Sequence, residues 1–154
     1  MKNLLKLFLA VLIIATMGFT AKADQKVSET QLPASAQSFL KKHYASVKVI
    51  ECEKDGAKYD VELRGGIDLE FTADGKLLKI DAGSKKVPVA ILKEILPQKA
   101  IDELKTRDVL GKVEEVELRH AAIKVELRQL LNDELRFDKD GNLWIINRGK
   151  DIVR

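Results

Sequence analysis

The chain has 154 residues, of which 33% are charged, and this length is enough for one domain with a single hydrophobic core. Its formal charge of +3 comes entirely from Lys2, Lys6 and Lys22, because residues 1–23 contain no acidic side chain. The remaining 131 residues are balanced in charge, which excludes a general electrostatic attraction to nucleic acid or to an anionic membrane surface.

The first 23 residues have the pattern of a secretory signal peptide. Lys2 and Lys6 form a basic start, residues 7–19 are uncharged and apolar, and Ala21-Lys22-Ala23 is the small-x-small pattern that signal peptidase recognises. The apolar run would span about 20 Å as a helix, which is too short for the hydrocarbon core of a membrane. We therefore expect cleavage after about Ala23, a periplasmic or secreted location, and no membrane span in the mature chain.

The sequence that follows contains a tandem duplication. Residues 71–80, FTADGKLLKI, and residues 137–146, FDKDGNLWII, share a phenylalanine, an Asp-Gly pair, a leucine and an isoleucine at an offset of 66. The segments YDVEL, at 59–63, and IKVEL, at 123–127, match at an offset of 64. The two-residue difference falls in the connection between them, so the repeats differ in the length of one hairpin.

The first repeat reads as one helix followed by four strands. Leu32-Pro33 precedes a predicted helix at about 33–44 whose apolar stripe is Ala36, Phe39, Leu40 and Tyr44. The predicted strands form an antiparallel meander at about 47–53, 58–63, 67–72 and 76–81. Their turns are marked by Asp55-Gly56, Gly65-Gly66 and Asp74-Gly75.

The second repeat has two predicted helices, at about 88–95 and 98–106. Its predicted strands are at about 112–118, 121–128, 133–138 and 142–147. Leu96-Pro97 matches Leu32-Pro33, but Pro88 is a second candidate counterpart of Pro33. The alignment of the helical segment is therefore open at this stage.

Alternation along the strands indicates how the layers pack. Tyr59, Val61 and Leu63 share one face of their strand, and the residues between them are charged. An antiparallel sheet of this kind buries its apolar face under helices and leaves the other face to solvent. We predict an α+β domain over 24–154, built from repeats at about 28–84 and 85–150. Its helices cover one face of a sheet of up to eight strands; whether the repeats join edge to edge is left open.

The stretch FDKDGNLWII contains the spacing of a calcium loop. Asp138, Asp140 and Asn142 alternate as oxygen ligands do, but an EF-hand-type loop counted from Asp138 needs glycine at position six and glutamate at position twelve. Glycine stands at position four and Gly149 at position twelve. Because the other repeat keeps only the Asp-Gly pair, we interpret the stretch as a hairpin turn and expect no metal.

No other residue pattern indicates catalysis. His43 and His120 have no nearby histidine or cysteine partner, and we expect both to be solvated surface residues. The glycines form no phosphate-binding loop, and the serines have no nucleophile-elbow context. The single cysteine, Cys52, lies in an alternating run typical of a buried, unreactive thiol. We therefore expect no enzyme and no cofactor.

The motifs resemble one known family. Leu32-Pro33 before a helix, followed by YDVEL, IDLEF, ADG and LLKID, is similar to the bacterial PepSY-like family, whose members are described as β-lactamase-inhibitor-protein-like. The second repeat shows the resemblance in Leu96-Pro97, GKVEEVEL, IKVEL, ELRFDKDG and LWII. The resemblance implies a secreted two-repeat fold in which helices pack on a curved antiparallel sheet whose open face holds another protein. Inhibition of a β-lactamase does not follow from the fold name.

The leading hypothesis is a non-enzymatic extracytoplasmic module, inhibitor-like in type, that binds an unknown protein or peptide on the open face of the sheet. The candidate contacts are Asp60, Glu62, Arg64, Lys124, Glu126, Arg128, Arg136 and Trp144. The alternative is a small-ligand carrier with a pocket between the sheet and the helices.

The last hairpin decides where the single tryptophan lies. A two-residue turn at Asp140-Gly141 would pair Phe137 with Trp144 and bury the indole. A three-residue loop with a glycine bulge would pair Phe137 with Leu143 and place Trp144 on the open face. The resembled family has an apolar residue two places after the glycine, so we favour the bulged form, in which Trp144 is available as a binding anchor.

Overall fold

The computed structural model describes residues 25–128, 133–148 and 151–153. The expected signal peptide, residues 1–23, lies outside this part of the chain. Within the described part, no helix is both long enough and apolar enough to span a bilayer.

The described residues contain three α-helices, each beginning directly after a proline. The helices are α1 (Ala34–His43), α2 (Val89–Ile95) and α3 (Gln98–Thr106), and short 3₁₀ turns lie at Glu29–Gln31 and Leu110–Lys112. Pro33, Pro88 and Pro97 have φ values of −55°, −57° and −58°, which the pyrrolidine ring holds close to helical geometry. All three helices are found within one residue of their predicted ends.

The strands form one antiparallel sheet in which each strand pairs with the next along the chain. The strands are β1 (Gln25–Lys26), β2 (Val49–Asp55), β3 (Lys58–Leu63), β4 (Ile67–Thr72), β5 (Leu77–Asp81), β6 (Val113–Leu118), β7 (Ile123–Leu127), β8 (Glu134–Phe137), β9 (Leu143–Arg148) and β10 (Asp151–Val153). The predicted α+β class and the eight predicted strands are confirmed. The structure adds β1 and β10 at the two edges.

The two repeats join edge to edge through β5 and β6. Ile80 lies opposite Val116 and Lys79 opposite Glu117, so the last strand of the first repeat pairs with the first strand of the second. The question that the sequence left open is thus answered by a continuous sheet.

The core lies between the helices and the apolar face of the sheet. Phe71 and its counterpart Phe137 are both fully buried, and burial of an aromatic side chain of this size contributes about 1.5–3 kcal/mol. Cys52 is also buried, as predicted, and burial raises the pKa of its thiol to about 11. The thiol is therefore protonated at neutral pH, which suits a packing role.

The two Asp-Gly turns pack against the starts of α1 and α3. A Cβ placed on Gly75 would lie 2.8 Å from Pro33 Cβ, and one on Gly141 would lie 2.9 Å from Pro97 Cβ. Each hairpin tip therefore contacts the proline that begins the helix of its own repeat. This contact identifies Pro97, not Pro88, as the counterpart of Pro33, and α2 is an element that the first repeat lacks.

The first hairpin differs slightly from its prediction. Asp55 pairs with Lys58, so the two connecting residues are Gly56 and Ala57 where Asp55-Gly56 was predicted. Gly56 has φ of +56°, a left-handed conformation that glycine adopts without the steric cost of a Cβ.

One tyrosine of the core has a buried hydroxyl group with no hydrogen-bond partner among the described residues. Tyr44 is 7% exposed, and burial raises the pKa of its phenol to about 12. Because an unpaired buried hydroxyl is unfavourable, Tyr44→Phe should leave the free energy of unfolding unchanged or raise it by up to about 1 kcal/mol. Urea denaturation tests this expectation, and Tyr59→Phe is the control. A decrease of more than about 1 kcal/mol in the free energy of unfolding would show that the Tyr44 hydroxyl is hydrogen-bonded.

Candidate functional site

The hairpin between β8 and β9 has the bulged register that the sequence favoured. Phe137 lies opposite Leu143 and Arg136 opposite Ile145, so Trp144 is the extra residue of the bulge. Its side chain is 56% exposed. The prediction that this indole lies outside the core is confirmed.

The turn of this hairpin uses the side chains that imitate a calcium loop. One oxygen of Asp138 accepts hydrogen bonds from the backbone N–H groups of Asp140 and Asn142, both at 2.9 Å, and the other accepts from the Asn142 amide at 2.7 Å. Hydrogen bonding by Asn142 holds the pKa of Asp138 below its usual range. Asp138 and Asn142 thus bond to each other, which favours the turn interpretation.

The histidines lie in different environments. His120 is exposed, but the side chain of His43 is only 10% exposed, with its Nε2 2.9 Å from Glu94 Oε2 and its ring 4.7 Å from the Phe39 ring. The expectation of a solvated surface residue is therefore wrong for His43, because Phe39 of the preceding helical turn and Glu94 of α2 cover it. In the part of the chain that the structure describes, no group of three or more His, Cys, Asp or Glu side chains could hold a metal ion.

A continuous row of carboxylates crosses the open face of the sheet. Each strand from β2 to β8 has one acidic residue that lies directly opposite the acidic residue of the neighbouring strand. These residues are Glu51, Glu62, Asp68, Asp81, Glu115, Glu126 and Glu134. We call this set the acidic row. Like charges directly opposite each other on neighbouring strands destabilise a sheet, so the row needs compensating charges.

A neighbouring row on the same face supplies part of the compensation. It is formed by Glu53, Asp60, Glu70, Lys79, Glu117, Lys124 and Arg136. Lys79 Nζ lies 2.9 Å from Glu115, and Arg136 pairs with Glu134. At the edge of the row, Lys26 pairs with Glu51. The bases of this row lie on β5, β7 and β8, and none lies on β2 to β4.

Lys124 is the centre of this compensation. Its ammonium group lies 2.9 Å from Glu126 and 3.2 Å from both Glu115 and Glu117. Burial alone would lower the pKa of Lys124, but hydrogen bonds to the three carboxylates outweigh it and raise that pKa. Burial would likewise raise the pKa of Glu117, but hydrogen bonds from Arg119 and Lys124 lower it. Lys124 is therefore charged at all physiological pH values.

The first repeat carries the more acidic half of the face. On β2 to β4 the open-face positions are acidic except for Lys58 and Thr72; the acids are Glu51, Glu53, Asp55, Asp60, Glu62, Asp68 and Glu70. Several of these line a shallow depression of about 350 Å³, whose rim includes Lys79. This half of the face is therefore rich in carboxylates, and basic residues pair with some of them: Glu51 pairs with Lys26, and Glu70 pairs with Lys58.

The predicted contact residues are distributed along the face. Asp60 and Glu62 lie on β3, Lys124 and Glu126 on β7, Arg136 on β8 and Trp144 on β9. Because strands are about 4.8 Å apart, β3 and β8 are separated by about 24 Å, so these residues form two groups. Arg64 and Arg128 follow β3 and β7 directly, and their backbone N–H groups donate to Lys48 and Lys112 at 2.8 and 2.7 Å.

Sequence reasoning missed the continuity of the acidic row and the role of Lys79. Alternation within each strand identified its polar face, but only the register between strands aligns Glu51, Glu62 and Asp68. The length of the hairpin loops was the one available signal, because it fixes the register of neighbouring strands.

The comparisons with known proteins assign the family. The family described as "Putative beta-lactamase-inhibitor-like, PepSY-like" matches residues 19–79 and again residues 59–144, most of the chain. This chain belongs to the PepSY-like family. The two matches agree with its two repeats, and the resemblance noted in the motifs is confirmed.

Three solved structures from Bacteroides species are similar to this PepSY-like chain. A "putative periplasmic protein from DUF2874 family" of Bacteroides vulgatus is 26% identical, with a TM-score of 0.72, over 87% of this chain and 99% of the other. A "putative calcium-regulated periplasmic protein" of Bacteroides thetaiotaomicron is 29% identical, with a TM-score of 0.67, over 85% and 97%. A second Bacteroides vulgatus protein, of "unknown function", is 27% identical, with a TM-score of 0.68, over 80% and 98%. No curated protein matches significantly.

Proposed function

We propose that this PepSY-like protein is a non-enzymatic extracytoplasmic module that binds a positively charged protein surface on its open sheet face. The observation that carries this proposal is the acidic row, which sets seven carboxylates side by side across seven strands. The periplasmic description of the three similar structures supports the location.

The energetic argument rests on the first repeat. Glu62 lies between Glu51 and Asp68, and Asp68 also faces Asp81. Such pairs lower stability, whereas alternating charges at the same positions would stabilise the sheet. Basic side chains of a partner remove this repulsion when they bind, so the unfavourable charge of the free protein becomes binding free energy.

Trp144 supplies an apolar anchor at the other end of the face. It lies in the bulge beside Ile145, which is opposite Arg136. An exposed tryptophan next to an arginine is typical of residues that dominate binding energy at protein interfaces. Its counterpart in the first repeat, Leu78, is half-buried and lies near Leu118 of β6.

One similar structure is described as calcium-regulated, and calcium is the alternative cation. The described residues offer no group of three or more acidic or metal-binding side chains with suitable geometry. We therefore propose that lysine and arginine of the partner, and not a bound metal ion, neutralise the acidic row.

The double variant Glu62→Gln with Asp68→Asn tests the proposal. It keeps the shape of two opposed side chains and removes their charge, so we expect equal or higher stability together with at least a tenfold loss of partner binding, about 1.4 kcal/mol. The matched control is Asp102→Asn with Glu103→Gln, two neighbouring acids on α3 in the helix layer.

The measurement compares capture of periplasmic proteins by the mature chain and by both variants, with and without about 1 mM Ca²⁺. The proposal is supported by a basic partner that binds the native chain and the control equally well but does not bind the open-face variant. Identical capture by all three proteins would refute it, and binding that requires Ca²⁺ would replace it with a metal site. Blue-shifted Trp144 emission in the complex reports contact at the bulge.

A further inference from the structure

The two repeats differ in what covers the outer edge of their first strand. In the second repeat, an extended segment lies along β6: the N–H of Val87 donates to Val113 O at 2.8 Å and the N–H of Ala82 donates to Glu114 O at 2.9 Å. The Val87 side chain is 2% exposed, and Ile91 of α2 is 1% exposed. The edge of β6 is therefore covered by this segment, and α2, which follows it, packs beside α3.

The corresponding edge of β2 has no such cover. Val49 and Ile50 are the counterparts of Val113 and Glu114 at the offset of 64 between repeats. Both strands have a bulge at this place, after Val49 and after Val113, so the carbonyl groups have equivalent directions. In the described part of the chain, no backbone N–H outside the strands donates to Val49 O or Ile50 O.

The difference follows from the length of chain before each Leu-Pro pair. β1 occupies the position of β5: Lys26 faces Glu53 as Lys79 faces Glu117. Two residues follow each of these lysines, Val27 and Ser28 in the first repeat and Ile80 and Asp81 in the second. Before the Leu-Pro pair, the first repeat then has only the three residues of the 3₁₀ turn, Glu29–Gln31, whereas the second has fourteen, 82–95. The covering segment and α2 are thus absent from the first repeat.

A cavity of about 710 Å³ lies where the covering segment would be, between α1 and the edge of β2. Its wall includes the apolar side chains of Leu40, Tyr44, Val49 and Leu63. Lys41 and Lys48 lie at its border, and the volume is in the range of specific binding pockets. Ile50, beside the cavity, is one of two large apolar side chains exposed in the described residues, and the other is Trp144.

We propose that this groove binds an extended segment of another protein, which pairs its backbone with the carbonyl groups of Val49 and Ile50 and inserts one small aliphatic side chain. The second repeat shows the chemistry of the occupant, since Val87 does this at the equivalent edge. Addition of a peptide to an unpaired strand edge is a common mode of recognition, in which main-chain hydrogen bonds supply affinity and a pocket supplies specificity. The groove is on the helix side of the sheet, so it is a second site, separate from the open face.

The probe for this site is a fluorescein-labelled peptide with the sequence of residues 81–91, DAGSKKVPVAI. Fluorescence anisotropy with the full mature chain should show saturable binding. N-methylation at the residue corresponding to Val87 removes one backbone donor and should weaken binding roughly three- to tenfold. Replacing the same valine with aspartate should weaken it more, because a carboxylate would then lie against the apolar side chains of Leu40, Val49 and Leu63.

Two protein variants locate the binding. Ser38 is exposed on α1 and lines the groove, so Ser38→Trp should fill it and abolish binding. Its counterpart in the second repeat is Asp102, where the groove is already covered, so Asp102→Trp should leave binding unchanged. The open-face variant Glu62→Gln with Asp68→Asn should also bind the peptide normally, which separates this test from that of the proposed function.

Absence of binding, or binding that survives both N-methylation and Ser38→Trp, would overturn the proposal. A third result would also overturn it: the peptide does not bind, and a small apolar compound raises the melting temperature of the native chain but not that of Ser38→Trp. The groove would then be a pocket for a small ligand.

Discussion

Gly75→Ala and Gly141→Ala should each lower the free energy of unfolding by about 2–4 kcal/mol. Both glycines have positive φ, +78° and +83°, a conformation that alanine adopts at a cost of about 1–2 kcal/mol. An added methyl group at Gly75 would lie 2.9 Å from the backbone nitrogen of Ala36, and one at Gly141 would lie 2.8 Å from that of Ala100. These are backbone atoms at the starts of α1 and α3, so relief of the contact requires a helix to move.

The chain offers matched controls for these two substitutions. Gly56 and Gly66 also have positive φ, +56° and +69°, but an added Cβ would meet no atom within 4 Å. Gly56→Ala and Gly66→Ala should therefore show the backbone cost alone, about 1–2 kcal/mol. Urea denaturation of the four variants measures the difference. Equal losses at all four positions would mean that the hairpin tips do not restrain the helices.

These glycines also show which part of the fold the sequence predicts well. The Asp-Gly turns, the two-residue alternation of YDVEL and the proline before each helix act locally, through backbone geometry. The helices and eight strands were therefore found close to their predicted positions, and the duplication gave the four-strand pattern twice. The bulge at Trp144 was favoured by the family resemblance and not by the turn itself, because the Asp-Gly pair fits both a two-residue turn and a bulged three-residue loop.

The features of the fold that the sequence did not predict depend on contacts between residues that are distant in the chain. β1 has two residues and β10 has three, which is too short for a detectable alternation. The choice between Pro88 and Pro97 as the counterpart of Pro33 is decided by packing of Gly141 against Pro97, 44 residues away in sequence. Burial of His43 likewise requires Glu94 of α2, an element present only in the second repeat.

The candidate site was predicted only in part for the same reason. Alternation selected Asp60, Glu62, Lys124 and Glu126 as solvent-facing, and all four lie on the open face. The acidic row requires the register of six successive strand pairs, and one residue of slip would send its side chains into the core. The groove beside β2 was not detectable, since it is defined by the absence of a segment that the other repeat contains.

Lys124→Met should lower the free energy of unfolding by about 2 kcal/mol at neutral pH. The methionine keeps most of the aliphatic volume, but Glu115, Glu117 and Glu126 lose the cation that they share at 2.9–3.2 Å. Removing one partner of a buried ion pair costs about 3–5 kcal/mol, and solvent reduces that figure here, because the Lys124 side chain is 22% exposed. Loss of the cation destabilises Glu115 most, because this residue is only 8% exposed and water cannot solvate its charge well.

The pH dependence of that loss separates charge from packing. The pKa of Glu117 is lowered from 4.5 in the folded protein, so its ion pairs stabilise the fold above that pH and are lost as the pH falls through the lower folded value. The raised pKa of Lys124 keeps its charge throughout this range. The difference between native chain and variant should therefore be largest near neutral pH and should shrink on acidification.

Urea midpoints from roughly pH 3 to pH 8 measure this difference. The control is Lys112→Met, which removes only a pair with the exposed Asp108 at 3.8 Å and should change stability by less than about 0.5 kcal/mol. A loss at Lys124 that is constant with pH would assign its role to packing of the aliphatic stem. A loss that disappears in acid would show that this lysine compensates the carboxylates of the second repeat.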